Sequence, residues 1–217
     1  MTDYNEKLKE ENSGHALIKL LDTMEILRQD LQEAHPQARV SLLFQYMKEK
    51  GQAHYEEDVS QYQHALQSAA LAARHNANYF MLSAALLHDM GHMLAEDLEG
   101  EINPTEKDDF HENLGASFLS EFFPASVTEP IRLHVEAKRY ICTTDQSYFK
   151  GLSSASQKSF MLQGGKMDEQ EQKAFENHPH FQEAIQLRKW DDQAKTVGLE
   201  IPEIEVYESV LLRALKV

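Results

Sequence analysis

A single cysteine, Cys142, leaves this 217-residue chain no internal disulfide framework. It has no basic cluster beside it to activate the thiol, so it reads as an inert, half-buried side chain. Cysteine usage of this kind suits a reducing compartment, and the expected location is the cytoplasm. Glycine and proline are also scarce, nine and six residues, which excludes collagen-like and low-complexity architectures. No apolar run approaches the ~20 residues that a membrane-spanning helix needs. The segment MTDYNEKLKEENSG at the start has neither the apolar stretch of a secretory signal nor the arginines of a transit peptide. A basic excess is missing as well. Thirty-six Asp and Glu against 21 Lys and Arg give a net charge of −15. Such a surface repels nucleic acid and anionic membranes, so neither is expected as a partner. A small anionic ligand would need cationic side chains gathered locally.

What is present is helix-forming. Hydrophobic residues make up 41% of the chain, enough for one compact core. They recur at helical spacing almost throughout, and strand-like alternation is scarce. The spacing predicts helices over about 15–32, 38–50, 58–75, 79–93, 111–123, 126–140, 153–162, 169–177, 181–194 and 205–215. Gly51 is placed to end the second, Asn78 to cap the helix from Tyr79, and Asp168 with Glu171 to form a capping box. Residues 95–109 read as a loop, and Gln163-Gly164-Gly165 as a turn. The fold class is therefore all-α: a helical bundle over 51–217 with a helical extension over 1–50.

The chemistry is carried by histidines and aspartates on inward-facing lines. His88-Asp89 closes the apolar run AALLHDMGHML. Burying an ionised aspartate beside a histidine is costly unless a cation or hydrogen bonds compensate it. Taken alone, the dipeptide reads rather as a satisfied pair at a helix end. His64, however, lies on another helix among small residues, His111 opens a third, His134 sits mid-helix in the 126–140 segment, and Asp191 follows Trp190 on a later helix. Helical bundles assemble metal sites from facing side chains in this manner, and neutral imidazole with carboxylate is a natural donor set. His15, His35, His75, His178 and His180 lie in polar stretches and are expected to be solvated.

Four stretches carry a resemblance: QYQHALQSA (61–69), AALLHDMGH (84–92), HVEAKRYICTTDQSYFKGLSSASQKSFMLQGGKMDEQE (134–171) and LRKWDDQAK (187–195). A His, then His-Asp some two dozen residues on, then a distant Asp resembles the all-α HD superfamily, largely phosphohydrolases. Two further histidines, here His111 and His134, resemble its dinuclear subset. The Ala-Lys-Arg-Tyr run, the Tyr-x-x-x-Leu-Ser-x-x-Ser pattern and the Gln-Gly-Gly-x-Met turn resemble the HD-domain mixed-valent diiron oxygenases that cleave hydroxyalkylphosphonates, relatives of myo-inositol oxygenase.

The resemblance implies two iron ions, Fe(II) and Fe(III). One would be held by His64, His88, Asp89 and Asp191. The other would be held by Asp89, His111 and His134, with Asp89 bridging. It also implies that His92 contacts the substrate's hydroxyl or carbon end, and that Lys138, Ser156, Ser159, Gln163 and Arg188 form the phosphonate pocket. Relatives usually carry a Tyr-x-x-Glu segment ahead of the first ligand. Glu57 falls in the expected place for an ammonium partner, whereas His54 holds the tyrosine position and Tyr55 stands one step on.

The reaction so implied is O2-dependent cleavage of the C–P bond of a 1-hydroxyalkylphosphonate, foremost 2-amino-1-hydroxyethylphosphonate, to glycine and phosphate. Two other readings of the residues stay open here. A metal pair bridged by Asp89 equally suits hydrolysis of a nucleotide or another phosphomonoester. A non-catalytic HD module is the third reading, and it would be favoured by missing ligands, of which there are none.

Overall fold

A computed structural model describes residues 18, 20–54, 58–95 and 110–216. No strand occurs among the described residues, in keeping with the all-α expectation. Helix α1 covers 20–33, and α2 (Pro36–Lys50) starts on a proline whose missing N–H costs nothing in a first turn. The Gly51 N–H closes α2 on the Met47 carbonyl. Helix α3 (Gln61–Arg74) begins later than the expected residue 58, because Ser60 builds a capping box. Its hydroxyl accepts from the Gln63 N–H, and the Gln63 side chain accepts from the Ser60 N–H.

Asn78 caps α4 (Tyr79–Leu87) as expected, accepting from the Met81 N–H. The expected helix over 79–93 is nonetheless two helices, with α5 (Met90–Ala95) separated from α4 by a turn at His88-Asp89. The expected helix over 126–140 also divides, into α7 (Ala125–Arg132) and α8 (His134–Thr144), with Leu133 between them. His134 is therefore the first residue of a helix and not mid-helix. Both breaks share a feature. His88 Nδ1 bonds the Ala85 carbonyl at 3.0 Å, and His134 Nδ1 bonds the Ile131 carbonyl at 2.7 Å. Each ring thus turns back to a carbonyl near the end of the preceding helix, where backbone partners run out.

Helix α6 (His111–Leu119) is shorter than expected, and α9 (Gln146–Gly151) is an element the hydrophobic spacing does not announce. Then follow α10 (Ser154–Leu162), α11 (Glu169–Glu176) behind the Asp168 capping box, and α12 (Phe181–Gln193). A 3-10 turn (Ile204–Tyr207) leads into α13 (Glu208–Ala214). Gly164 and Gly165 have φ of 96° and 63°, so the turn there needs residues without a Cβ. The expected loop at 95–109 lies outside the described residues, Ala95 excepted.

Helix α4 is the axis of the bundle and packs against α3, α7, α12 and α13. Leu31, Val40, Leu43 and Met47 from α1 and α2 share one buried core with Leu86, Leu87, Phe118, Ile131, Leu187 and Leu211. Two smaller clusters lie under α11 (Leu133, Met167, Phe175) and α10 (Cys142, Leu152, Phe160). His75 is exposed, yet it also takes the indole N–H of Trp190 at 3.0 Å. No helix of the described residues is long and apolar enough to cross a membrane.

Candidate metal centre and anion pocket

The break at His88-Asp89 turns two neighbouring side chains into the middle of the bundle. His64 comes from α3, Asp191 from α12, His111 from the first turn of α6 and His134 from the first turn of α8. Ligand atoms of His64, His88 and Asp89 gather in one group, and those of Asp89, His111 and His134 in a second. Asp89 divides its oxygens between them. Oδ2 lies 3.4 Å from both His64 Nε2 and His88 Nε2, while Oδ1 lies 3.9 Å from both His111 Nε2 and His134 Nε2. Asp191 Oδ1 joins the first group at 3.3 Å from His64 Nε2. All six residues are buried.

The imidazoles themselves test whether a metal fits. His64 Nδ1 bonds the Ala194 carbonyl at 3.0 Å, and His88 and His134 bond carbonyls in the same way. A carbonyl only accepts, so each Nδ1 carries the proton and each neutral ring offers a lone pair at Nε2. Yet His64 Nε2 faces His88 Nε2 at 3.1 Å, and His134 Nε2 faces His111 Nε2 at 3.1 Å. In the first pair both rings turn lone pairs to each other, which repel at that distance unless a cation lies with them. Carboxylate oxygens beside each pair complete the donor set of a divalent ion.

The electrostatics run the same way. Burial pushes His88 down, and burial with His111 behind it pushes His134 well down, so both rings stay in the neutral form a metal can use. Burial also acts against charge on His64, but Asp191 and Asp89 outweigh it and raise that ring. A proton there occupies the place a metal ion would take. Burial would raise both aspartates. The surrounding imidazoles, His88 foremost, nevertheless hold Asp89 well below the usual carboxylate range, and Arg188 does the same for Asp191.

His92 lies beside the second group, its half-buried ring stacked on that of His111 at 3.8 Å and 16°. This closeness depends on two glycines. Gly91 lies against the His111 backbone and Gly115 against Gly91, so α5 and α6 meet backbone to backbone.

A cationic cluster borders the first group, where Arg188 Nη1 lies 2.8 Å from Asp191 Oδ2. Lys138, one turn beyond His134, donates to Ser159 Oγ at 2.8 Å, and Ser159 donates to the Ser156 carbonyl at 3.2 Å. Gln163 presents a buried side-chain oxygen with no hydrogen-bond partner among the described residues. Burial, reinforced by the Arg188 guanidinium, pushes the Lys138 ammonium down to about 7. Sequence reasoning missed three participants. Lys195 donates to Ser156 Oγ at 3.0 Å, and Asp192 and Tyr148 surround Arg188. Lys195 and Asp192 stand inside the LRKWDDQAK stretch, four residues and one residue after Asp191, which is the signal that could have found them. Cys142 is buried, and burial raises its thiol, which suits an inert side chain. His54 is exposed, while Tyr55 and Glu57 lie outside the described residues.

The HD domain family matches residues 62–187, the span from α3 into α12. The chain is 46% identical over 174 residues to a hydroxymethylphosphonate dioxygenase of Gimesia maris, covering 80% of this chain and 87% of that protein. It is 40% identical over 147 residues to a 1-hydroxy-2-(trimethylamino)ethylphosphonate dioxygenase (glycine-betaine-forming) of Leisingera caerulea, covering 68% of this chain and 74% of that one. With its fold, its paired His/Asp groups and these relatives, the chain belongs to the HD-domain phosphonate dioxygenases.

Proposed function

We propose that this dioxygenase holds an Fe(II)/Fe(III) pair on His64, His88, Asp89, His111, His134 and Asp191. Its substrate is a small 1-hydroxyalkylphosphonate. The observation that carries the reading is a cluster of Lys138, Lys195, Ser156 and Ser159 that reaches the two donor groups sharing Asp89 through Arg188 and Asp191. Lysine and arginine with serine hydroxyls are the donors a dianionic phosphonate group needs. Held there, the substrate directs its hydroxyl-bearing carbon toward the metal groups and His92. The bound iron pair supplies activation of O2. The protein orients the carbon, excludes water and neutralises the phosphonate. The reaction balances without another reductant. An R–CH(OH)–phosphonate and one O2 give R–COOH and phosphate, with the C–P and C–H bonds broken and one oxygen atom added to each product.

The leading substrate is 2-amino-1-hydroxyethylphosphonate, with Glu57 as partner of its ammonium group. Hydroxymethylphosphonate and the trimethylammonium analogue complete the test panel. Iron-loaded protein is expected to release phosphate only when O2 is present, with one O2 consumed per phosphate. No release in either condition, with turnover of a phosphomonoester panel instead, would mark a phosphohydrolase. Preference for the amino compound, lost in Glu57→Gln, supports the ammonium contact. Preference for hydroxymethylphosphonate removes it.

Lys138 gives this reading a pH signature. Its charge persists to about pH 10 in water, but in this pocket it is lost as pH rises through about 7. The groups that set this are Arg188 and Lys195, which disfavour the charge, and Asp191 and Asp192, which favour it. Because kcat/KM reports the free enzyme, it is expected to fall as pH climbs above about 7. Lys138→Arg keeps its charge throughout, so its falling limb should move at least about two pH units upward. An unshifted limb would assign the titration to another group. Lys138→Ala is expected to raise KM about tenfold or more, with a smaller effect on kcat.

A further inference from the structure

Arg188 is buried to 4% exposure, and three of its five N–H groups are directed at two neighbours on its own helix. Nε bonds Asp192 Oδ2 at 3.0 Å, and Nη2 bonds Asp192 Oδ1, so the guanidinium fork closes on Asp192. Only Nη1 reaches Asp191, at 2.8 Å from Oδ2. Asp191 Oδ1 is left to face His64 in the first metal group. Asp192 is itself held from another element, because the Tyr148 hydroxyl of α9 donates to Asp192 Oδ2.

The arrangement resolves a conflict. An arginine next to a carboxylate frequently takes both oxygens in a two-pronged pairing. Had Arg188 done so with Asp191, Oδ1 would be withdrawn from His64, and the carboxylate's charge would be spent on the guanidinium. The arginine cannot simply be absent if this side of the pocket must neutralise a phosphonate. A second carboxylate one residue on accepts the fork instead. The charges then sum to −1 over Arg188, Asp191 and Asp192, the charge that Asp191 alone would offer a metal ion.

We propose that Asp192 and Tyr148 are positioning residues for the metal centre. Asp192 takes the guanidinium fork so that Asp191 keeps Oδ1 for the first ion, and Tyr148 holds Asp192 in that pairing. Burial keeps the Tyr148 phenol far above its ordinary value, so it stays a donor. Tyr148 also ties α9, and through it the α10 serines, to the helix that bears Asp191. The inference rests on the metal-centre reading above and adds a division of labour within the Arg188 cluster.

The test isolates each metal group. In a His134→Ala background, which leaves the first group intact, Co(II) affinity is measured by chelator competition and the visible Co(II) spectrum. Adding Asp192→Asn is expected to weaken binding about 10- to 100-fold, the range for a group that supports a metal ligand. Adding Tyr148→Phe should weaken it about three- to tenfold. In a His64→Ala background, which leaves only the second group, both additions should stay within about twofold. Equal weakening in both backgrounds would mean a general loss of structure and overturn the proposal, as would no weakening in the first. If Asp192→Asn loses its helical circular dichroism, Tyr148→Phe decides alone, and wild-type affinity there overturns the inference. Failure of the wild-type chain to bind Co(II), or indifference of binding to His64→Ala and His134→Ala, would overturn the metal-centre reading itself.

Discussion

Asp89→Ala is expected to yield a folded protein that retains less than about a tenth of either metal ion and has lost activity at least about a thousandfold. The reason lies in how one carboxylate is shared. Oδ2 stands 3.4 Å from both imidazoles of the first group, and Oδ1 stands 3.9 Å from both imidazoles of the second. Removing it leaves the second group with two imidazoles and no carboxylate. The first group keeps Asp191, whose other oxygen is engaged by Arg188. Two imidazoles with their lone pairs opposed do not hold an ion well. Asp89→Asn, nearly the same shape, should behave alike, because an amide supplies one neutral oxygen where the site uses two charged ones. Metal analysis of the purified variants checks this against wild type. One ion retained at wild-type affinity would show that Asp89 serves a single group and that the bridge is not real.

The metal-ligand candidates were legible because each lies on an inward line that helical periodicity exposes, and because buried aspartates without partners are costly. The breaks beside two of them were not. Apolar spacing runs straight through His88 and through Leu133, so periodicity alone predicts unbroken helices there. At each break a ring nitrogen turns back to a carbonyl three residues earlier. That turn depends on where the other imidazole nitrogen must point, which is a tertiary fact. Helix α9 was missed for a related reason. It has six residues, none more than half-buried, and is held by the Asp145 cap and the contact from Tyr148 to Asp192, 44 residues away. No local pattern records such a contact. Arg188 was legible as a cation near the site, but its commitment to two adjacent aspartates was not. Lys195 was passed over because it lies beyond the last residue of α12. The segment expected to face the substrate's far end, with Tyr55 and Glu57, lies outside the described residues, so the substrate panel carries that question.

Gly91→Ala should produce a different failure from Asp89→Ala, confined to the second group. A Cβ on Gly91 would lie 1.9 Å from the His111 carbonyl oxygen and 2.6 Å from its carbonyl carbon. The obstacle is backbone, not the end of a flexible side chain, so the first turn of α6 must move by more than about 1 Å to restore ordinary contact. Gly115 offers no relief, since its own Cβ would come within 2.8 Å of the Gly91 nitrogen. His111 rides on that turn. Displacing it opens the 3.1 Å approach to His134, lengthens the reach to Asp89 and breaks the stack with His92. His64, His88 and Asp191 stand on α3, on the turn after α4 and on α12, whereas the three atoms nearest this carbon all belong to His111. The variant should therefore bind close to one metal ion per chain where wild type is expected to bind two. Its activity should fall about a hundredfold or more, the consequence of displacing a reacting group by about 1 Å. Its stability should fall by about 1–3 kcal/mol, as overpacking does. Gly115→Ala, meeting a less severe approach, should lie between the variant and wild type. Two tightly bound ions and undiminished turnover in Gly91→Ala would show that α6 can shift while the His111 ring stays in place. The close contact of α5 with α6 would then be packing alone, without a part in the metal centre.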